Sequence, residues 1–167
     1  MNVTFREVQY IRRVWWVMLL VGGIAALMWW GFWQQIILGQ PWGNNPAPDW
    51  MMWLLWLFIG LGMPLFFWIM KLIVEVRPDG VSIRFYPLTR RLIPYDQIAQ
   101  VTPREYSPIK EYGGWGIRGI PSKSQKMAYN VSGKEGVELV LGDGRTVMLG
   151  SQKAQELALA IDLQMQA

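Results

Sequence analysis

Charged and strongly polar side chains vanish from this chain twice. From Val14 to Trp33, VWWVMLLVGGIAALMWWGFW, and again from Trp50 to Met70, WMMWLLWLFIGLGMPLFFWIM, every position is apolar, glycine or proline. A helix of about 20 residues crosses roughly 30 Å of hydrocarbon, and a buried core helix of that length ordinarily keeps a polar position. The pattern predicts two transmembrane helices, over residues 14–38 and 50–71. The stretch between them, 39–49, is rich in Gly, Pro and Asn and reads as a hairpin turn outside the membrane.

After Lys71 the pattern changes to short alternating runs broken by turn residues, the signature of half-buried antiparallel strands. Strands are expected in LIVEVR, VSIRFY, RRLIPY, QIAQVTPREY, GGWGIR, KMAYNV, GVELVL and RTVMLG. Asp79-Gly80 and Asp143-Gly144 suit tight hairpin turns, and Pro87 and Ser132-Gly133 punctuate two others. At the end, Ser151 is placed to cap a helix on which Ala154, Leu157, Ala158, Ile161 and Met165 share one face. The expected fold is a two-helix membrane hairpin followed, over 72–167, by a partly open antiparallel β-barrel or sandwich closed by that helix. Ahead of the first span, in residues 1–13, Phe5, Val8 and Ile11 with Arg6, Arg12 and Arg13 suggest an interfacial helix.

Composition sharpens the membrane reading. Of the 11 tryptophans all but Trp115 precede Lys71, and within each apolar stretch they gather toward the two ends, as indole does at the headgroup boundary. Arg6, Arg12 and Arg13 precede the first stretch and Lys71 and Arg77 follow the second, while the linking loop has no Lys or Arg, so both termini are expected on the cytoplasmic side. With no Cys and no His there is no thiolate nucleophile, no Cys/His zinc cluster and no histidine acid or base. No cofactor, metal or catalytic group is therefore expected, and the modest net charge of +4 with dispersed bases argues against nucleic acid.

Two groups of residues carry candidate chemistry. Gly114, Gly116 and Gly119 have the G-x-G-x-x-G spacing of a dinucleotide loop, but Ile120-Pro121-Ser122-Lys123 and strand-like residues follow where such a loop needs a helix. The glycines read instead as a kink or bulge, and Tyr112, Trp115 and Arg118 as a surface patch for a partner chain or a lipid headgroup. Arg90, Arg91, Lys123 and Lys126 form the alternative, a set of bases for anionic lipid headgroups.

The order of two spans, then IPYDQIAQV (93–101), YGGWGIR (112–118) and LGDGRTVMLGS (141–151) running into the last helix, resembles the bacterial pleckstrin-homology-like membrane proteins; FREVQ (5–9) shares the likeness. The resemblance implies a PH-like barrel capped by a C-terminal helix, a bacterial inner-membrane location and a tendency to form homo-oligomers. It implies no activity. Specific phosphoinositide recognition is not expected, because the turn Arg77-Pro78-Asp79-Gly80 sets a single base beside an acid. The expected function is that of a non-enzymatic scaffold or adaptor offering a cytoplasmic domain to protein, most simply to copies of itself. The alternative is a membrane-surface sensor of anionic lipid.

Overall fold

The computed structural model describes residues 3–119 and 124–166 and divides the chain into two units. One is Ile11–Met70. The other joins the chain up to Tyr10 to the chain from Lys71 onward.

In the first unit, helix α1 (Trp15–Ile37) and helix α2 (Asp49–Ile69) are both long and apolar enough to cross a membrane. Only 22% and 11% of their most apolar windows are buried by protein, so most of this apolar surface has no protein cover. Between them an aromatic cluster forms, in which Phe32 stacks on Trp56 at 4.6 Å and meets Trp53 edge-on at 4.7 Å. Trp29 also meets Trp56 edge-on, at 5.1 Å. Such pairs add about 0.5–1.5 kcal/mol each beyond burial. Both helices contain wide π-helical turns, at Trp33–Ile37 and Trp56–Gly62. The second lies just ahead of Pro64, which has no N–H to give to the carbonyl four residues back. The linking loop folds onto its own helices. A Cβ on Gly31 would lie 2.6 Å from the Trp42 ring, so only glycine lets that indole pack there. Buried Gln35 donates from Nε2 to the carbonyl of Ala47 at 2.6 Å and to Asp49 Oδ1 at 2.9 Å.

The second unit begins with a strand rather than a helix. Residues Phe5–Tyr10 form β1, which pairs antiparallel with β2 (Lys71–Arg77), from Phe5↔Val76 to Tyr10↔Lys71. The expected interfacial helix is thereby corrected for these residues. The three-residue spacing of Phe5, Val8 and Ile11 fits a helix, but the open edge of β2, some sixty positions away in sequence, supplies a ladder of backbone partners that local pattern does not reveal. β3 (Gly80–Tyr86) and β4 (Thr89–Ile93) complete an antiparallel sheet in the order β1-β2-β3-β4. The second sheet contains β5 (Ile98–Glu105), β6 (Gly116–Arg118), β7 (Lys126–Asn130), β8 (Glu135–Leu141) and β9 (Thr146–Gly150). Its order is β5-β8-β9-β7-β6.

All eight expected strands are present, with boundaries shifted by up to three residues. Among the described residues the two sheets do not close into a barrel, within the expectation of a partly open barrel or sandwich, but one pairing corrects the expected antiparallel order: β7 runs parallel to β9 instead of pairing with β8. The turn at Ser132-Gly133 is there, with Gly133 at φ 88°, yet β9 lies between the two strands that it connects.

A short helix α3 (Pro108–Tyr112) follows β5, and helix α4 (Ala154–Met165) ends the unit. Ala154, Leu157, Ala158 and Ile161 are buried as the sequence stripe requires, and α4 packs against β5 and β8 of one sheet and β1 and β2 of the other. Leu157 and Ile161, fully enclosed, contribute about 1.5–3 kcal/mol each. Ser151 does not cap α4, whose N-cap position is Lys153. Its Oγ accepts the Lys153 N–H at 2.9 Å and donates to Glu7 Oε2. Glu7 Oε1 accepts the Gln152 N–H at 2.9 Å, and Gln9 Nε2 donates to the Gly150 carbonyl at 2.8 Å. Two polar residues on the inward face of β1 thus bind the turn between β9 and α4.

Candidate interaction surface

The segment from Arg104 to Asn130 gathers the residues that the sequence singled out. Helix α3 has local signals for its existence: Ser107 at the N-cap accepts the Lys110 N–H, Pro108 occupies the first turn, and Gly113 ends the helix at φ 73°. Glu111 reaches back to accept the Ser107 N–H at 2.7 Å. Its other oxygen takes Nη2 of Arg104 at 2.9 Å, and the same guanidinium nitrogen lies 2.7 Å from Glu138 on β8. Burial works against the Arg104 charge, but the hydrogen bonds that it donates to Glu138 and Glu111 outweigh this and hold its pKa above the ordinary value. The Arg104 hydrogen bond, with the Ser107 N–H, holds the Glu111 carboxyl below its ordinary value.

Behind α3 lies a buried polar brace. Asn130, fully enclosed, donates from Nδ2 to Tyr106 Oη at 2.9 Å and accepts the Gly116 N–H on Oδ1 at 2.8 Å. Tyr106 packs with Ala128 and Met148, and Tyr112 meets its ring edge-on at 5.8 Å. Burial raises the pKa of both tyrosines. The brace fixes the start of β6, and β6 pairs antiparallel with β7. Gly114, Gly116 and Gly119 all hold positive φ, at 125°, 101° and 84°. Gly114 lies between α3 and β6, Gly116 opens β6 and Gly119 follows it, a helix-to-strand order where a dinucleotide loop runs from strand to helix.

Of the expected patch, Arg118 is exposed, Trp115 half-buried and Tyr112 half-buried against Tyr106. The Arg118 guanidinium folds back over Gly114, where a Cβ would lie 2.7 Å from its Nη2. Exposed Ile109 on α3 belongs to the same short segment and was not singled out. The alternative basic set does not come together as one patch. Arg90 and Arg91 are neighbours on a strand and so face opposite sides of the sheet. Arg90 stands opposite Arg84 on β3, whereas Arg91 points inward with Nη1 3.1 Å from Met127 Sδ. Lys126 is exposed at the start of β7, and Lys123 lies outside the described residues.

An open cleft of about 470 Å³ is lined in part by Glu105, Lys134, Glu135 and Gln152. Glu105 and Glu135 face each other across β5 and β8, both exposed to water. Among the described residues, no group of three or more His, Cys, Asp or Glu is placed to hold a metal ion.

The profile of a family of unknown function, DUF6141, matches residues 1–166, both helices and both sheets included. The chain belongs to DUF6141. No curated protein and no solved structure matches it. The DUF6141 match takes in Arg104, Asn130 and the Tyr112–Arg118 segment alike, and it assigns no role to any of them.

Proposed function

We propose that this DUF6141 protein is a non-enzymatic integral membrane protein. Its two helices anchor a PH-like domain on the cytoplasmic side, and that domain binds protein, most simply a second copy of itself. The apolar helices support the anchor: a soluble core helix would bury most of its apolar surface, and α1 and α2 do not. Lys and Arg on both flanks, with none in the linking loop, support the orientation. Two sheets with a C-terminal helix packed against both support the PH-like reading, although the parallel β7–β9 pair and the strand ahead of the spans depart from a simple meander.

The observation that carries the binding role is the brace from Asn130 to Gly116. With the bonds from the Gly113 and Gly114 N–H groups to the carbonyls of Ile109 and Pro108, it ties down a segment of four positive-φ glycines and so presents half-buried Trp115 and exposed Arg118 in a fixed geometry. A preorganised Trp and Arg on a surface is the composition of an interface centre. The test is crosslinking of the full-length chain in its native membrane, followed by its mass in nanodiscs. A crosslinked homo-oligomer that Arg118→Ala weakens, with thermal stability kept, is expected. A strictly monomeric chain that captures no protein would end the reading.

A further inference from the structure

The register of the first sheet sets one of its ends apart. Tyr10, Lys71 and Tyr86 share its terminal row, and at this row the chain enters from β1 toward α1 and returns from α2 into β2. Lys71 follows Ile69, the last residue of α2, by two residues, so the chain leaves the second helix directly into this row. The β3–β4 hairpin turns at this same end, and its tip, Tyr86-Pro87-Leu88, is exposed: 45% for Tyr86 and 55% for Leu88.

Charge is graded along the sheet. On its outer face, Lys71 lies in the terminal row and Arg84 and Arg90 stand opposite each other two rows on. The Lys71 ammonium sits over the rings of Tyr10 and Tyr86, at 5.8 and 5.6 Å. The acid of this face, Glu75, comes two rows further along and is held by Arg6 and Arg77, while Asp79 occupies the turn at the far end. Glu7, the acid on a nearer row, faces inward and is taken up by Ser151 and Gln152. An uncovered apolar tip ringed by bases, with its acids removed to the other end, matches the two layers of an anionic bilayer surface.

We infer that the β3–β4 tip is a membrane-contact site: Tyr86 and Leu88 enter the acyl boundary of an anionic leaflet while Lys71, Arg84 and Arg90 rest on its headgroups. The inference builds on the reading of α1 and α2 as membrane spans, and goes beyond it by fixing which surface of the domain faces lipid. It also regroups the bases, with Arg84 and Lys71 joining Arg90 in place of Arg91.

The absence of cysteine from the chain makes the test direct. Full-length Leu88→Cys and Asp79→Cys variants are labelled with an environment-sensitive fluorophore. They are placed in nanodiscs of phosphatidylcholine alone, or of equimolar phosphatidylcholine and phosphatidylglycerol, with brominated acyl chains as quencher. The label at 88 should emit as in an apolar medium and be quenched, more strongly with the anionic lipid, while the label at 79 stays water-like. Arg84→Gln and Arg90→Gln should each lower the docked-to-undocked ratio about fivefold at low salt. Equal quenching at 88 in both lipids, unchanged by those substitutions, would overturn the headgroup contact. If the native tryptophans are quenched and position 88 stays water-exposed, the tip is wrong and the spans stand. Unquenched tryptophans would remove the spans themselves.

Discussion

Trp29 Nε1 donates a hydrogen bond to the Gly60 carbonyl at 3.2 Å, and Gly60 is the residue whose α-helical donor is replaced by Pro64. One helix thus supplies a proton to the backbone oxygen that the other helix's proline leaves without its usual partner. Under the membrane-spanning role proposed above, such a carbonyl has no water to turn to, which is the condition under which proline is tolerated in a span. Trp29→Phe keeps the ring and removes the donor, and should lower stability in detergent or nanodiscs by about 0.6–1.7 kcal/mol. Pro64→Ala restores the backbone donor, so Trp29→Phe should cost less in that background. Equal costs in the two backgrounds, measured by thermal unfolding, would show that the indole does not serve the proline gap.

The globular unit is assembled from both sides of the helical hairpin, and this has a consequence for dissecting it. Residues 72–167 alone lack β1, exposing the edge of β2 and leaving the Gly150 carbonyl, the Ser151 hydroxyl and the Gln152 N–H without the partners that Glu7 and Gln9 provide. That fragment should aggregate or unfold without cooperativity. Because Tyr10 and Lys71 are opposite in the register, an Asn-Gly turn joining residues 3–10 directly to 71–166 should restore a soluble unit. Size-exclusion chromatography and the sharpness of thermal unfolding distinguish the two.

Asn130 serves two groups at once, the Gly116 N–H and the Tyr106 hydroxyl. Replacing it by Leu orphans the Gly116 N–H and the Tyr106 hydroxyl and should destabilise by about 1–3 kcal/mol for each. Tyr106→Phe orphans the Asn130 amide instead. The double variant, Asn130→Leu with Tyr106→Phe, should cost less than the sum of the single ones by at least 0.5 kcal/mol or so, since the same hydrogen bond is removed once. Chemical denaturation of the full-length chain measures the cycle.

Glu111 gives the surface a mild acid sensitivity. Its folded pKa lies below the ordinary 4.5 because Arg104 and the Ser107 N–H favour the carboxylate. A depressed carboxyl stabilises the fold above its unfolded pKa, and that stabilisation is lost as pH falls through the lowered folded value. Glu111→Gln should therefore reduce the melting temperature slightly at neutral pH and hardly at all once the wild-type carboxyl is protonated. The pair is partly exposed, so high salt should shrink the difference further. A gap between the two chains that persists unchanged into acid would assign the effect to packing.

Much of the fold was legible in the sequence because its signals are local: two uninterrupted apolar runs, eight alternating segments and the stripe on α4. What escaped depends on partners distant in sequence. β1 is a strand because β2 has an open edge; inward-facing Glu7 and Gln9 would mark a surface in isolation but meet the turn after β9. The parallel pairing of β7 with β9 escaped because a Ser-Gly turn suggests a hairpin between the strands that it joins. Helix α3 was available locally in Ser107-Pro108 and Gly113, but five residues are too few to show a periodicity. At the candidate site, the glycines and Arg118 were singled out from their types, whereas Asn130 gave no signal, being an ordinary polar residue at the end of a strand.

The two roles assigned to the glycine loop separate in a single cycle. Gly116 sits at φ 101° with open space where a Cβ would go, so Gly116→Ala should cost on the order of 1 kcal/mol from backbone strain alone, whatever stands at 118. Gly114, at φ 125°, carries the same strain and a collision besides, because its Cβ would fall 2.7 Å from Arg118 Nη2. Gly114→Ala should therefore displace the guanidinium. In an Arg118→Ala background the collision disappears while the strain remains, so the cost of Gly114→Ala should fall, but not to zero, and the cost of Gly116→Ala should not change. If association depends on where Arg118 points, Gly114→Ala should weaken self-crosslinking more than Gly116→Ala at matched thermal stability. Should both alanines leave crosslinking alone while lowering the melting temperature equally, Arg118 is not held by Gly114 in any way that binding requires, and the loop is backbone architecture only.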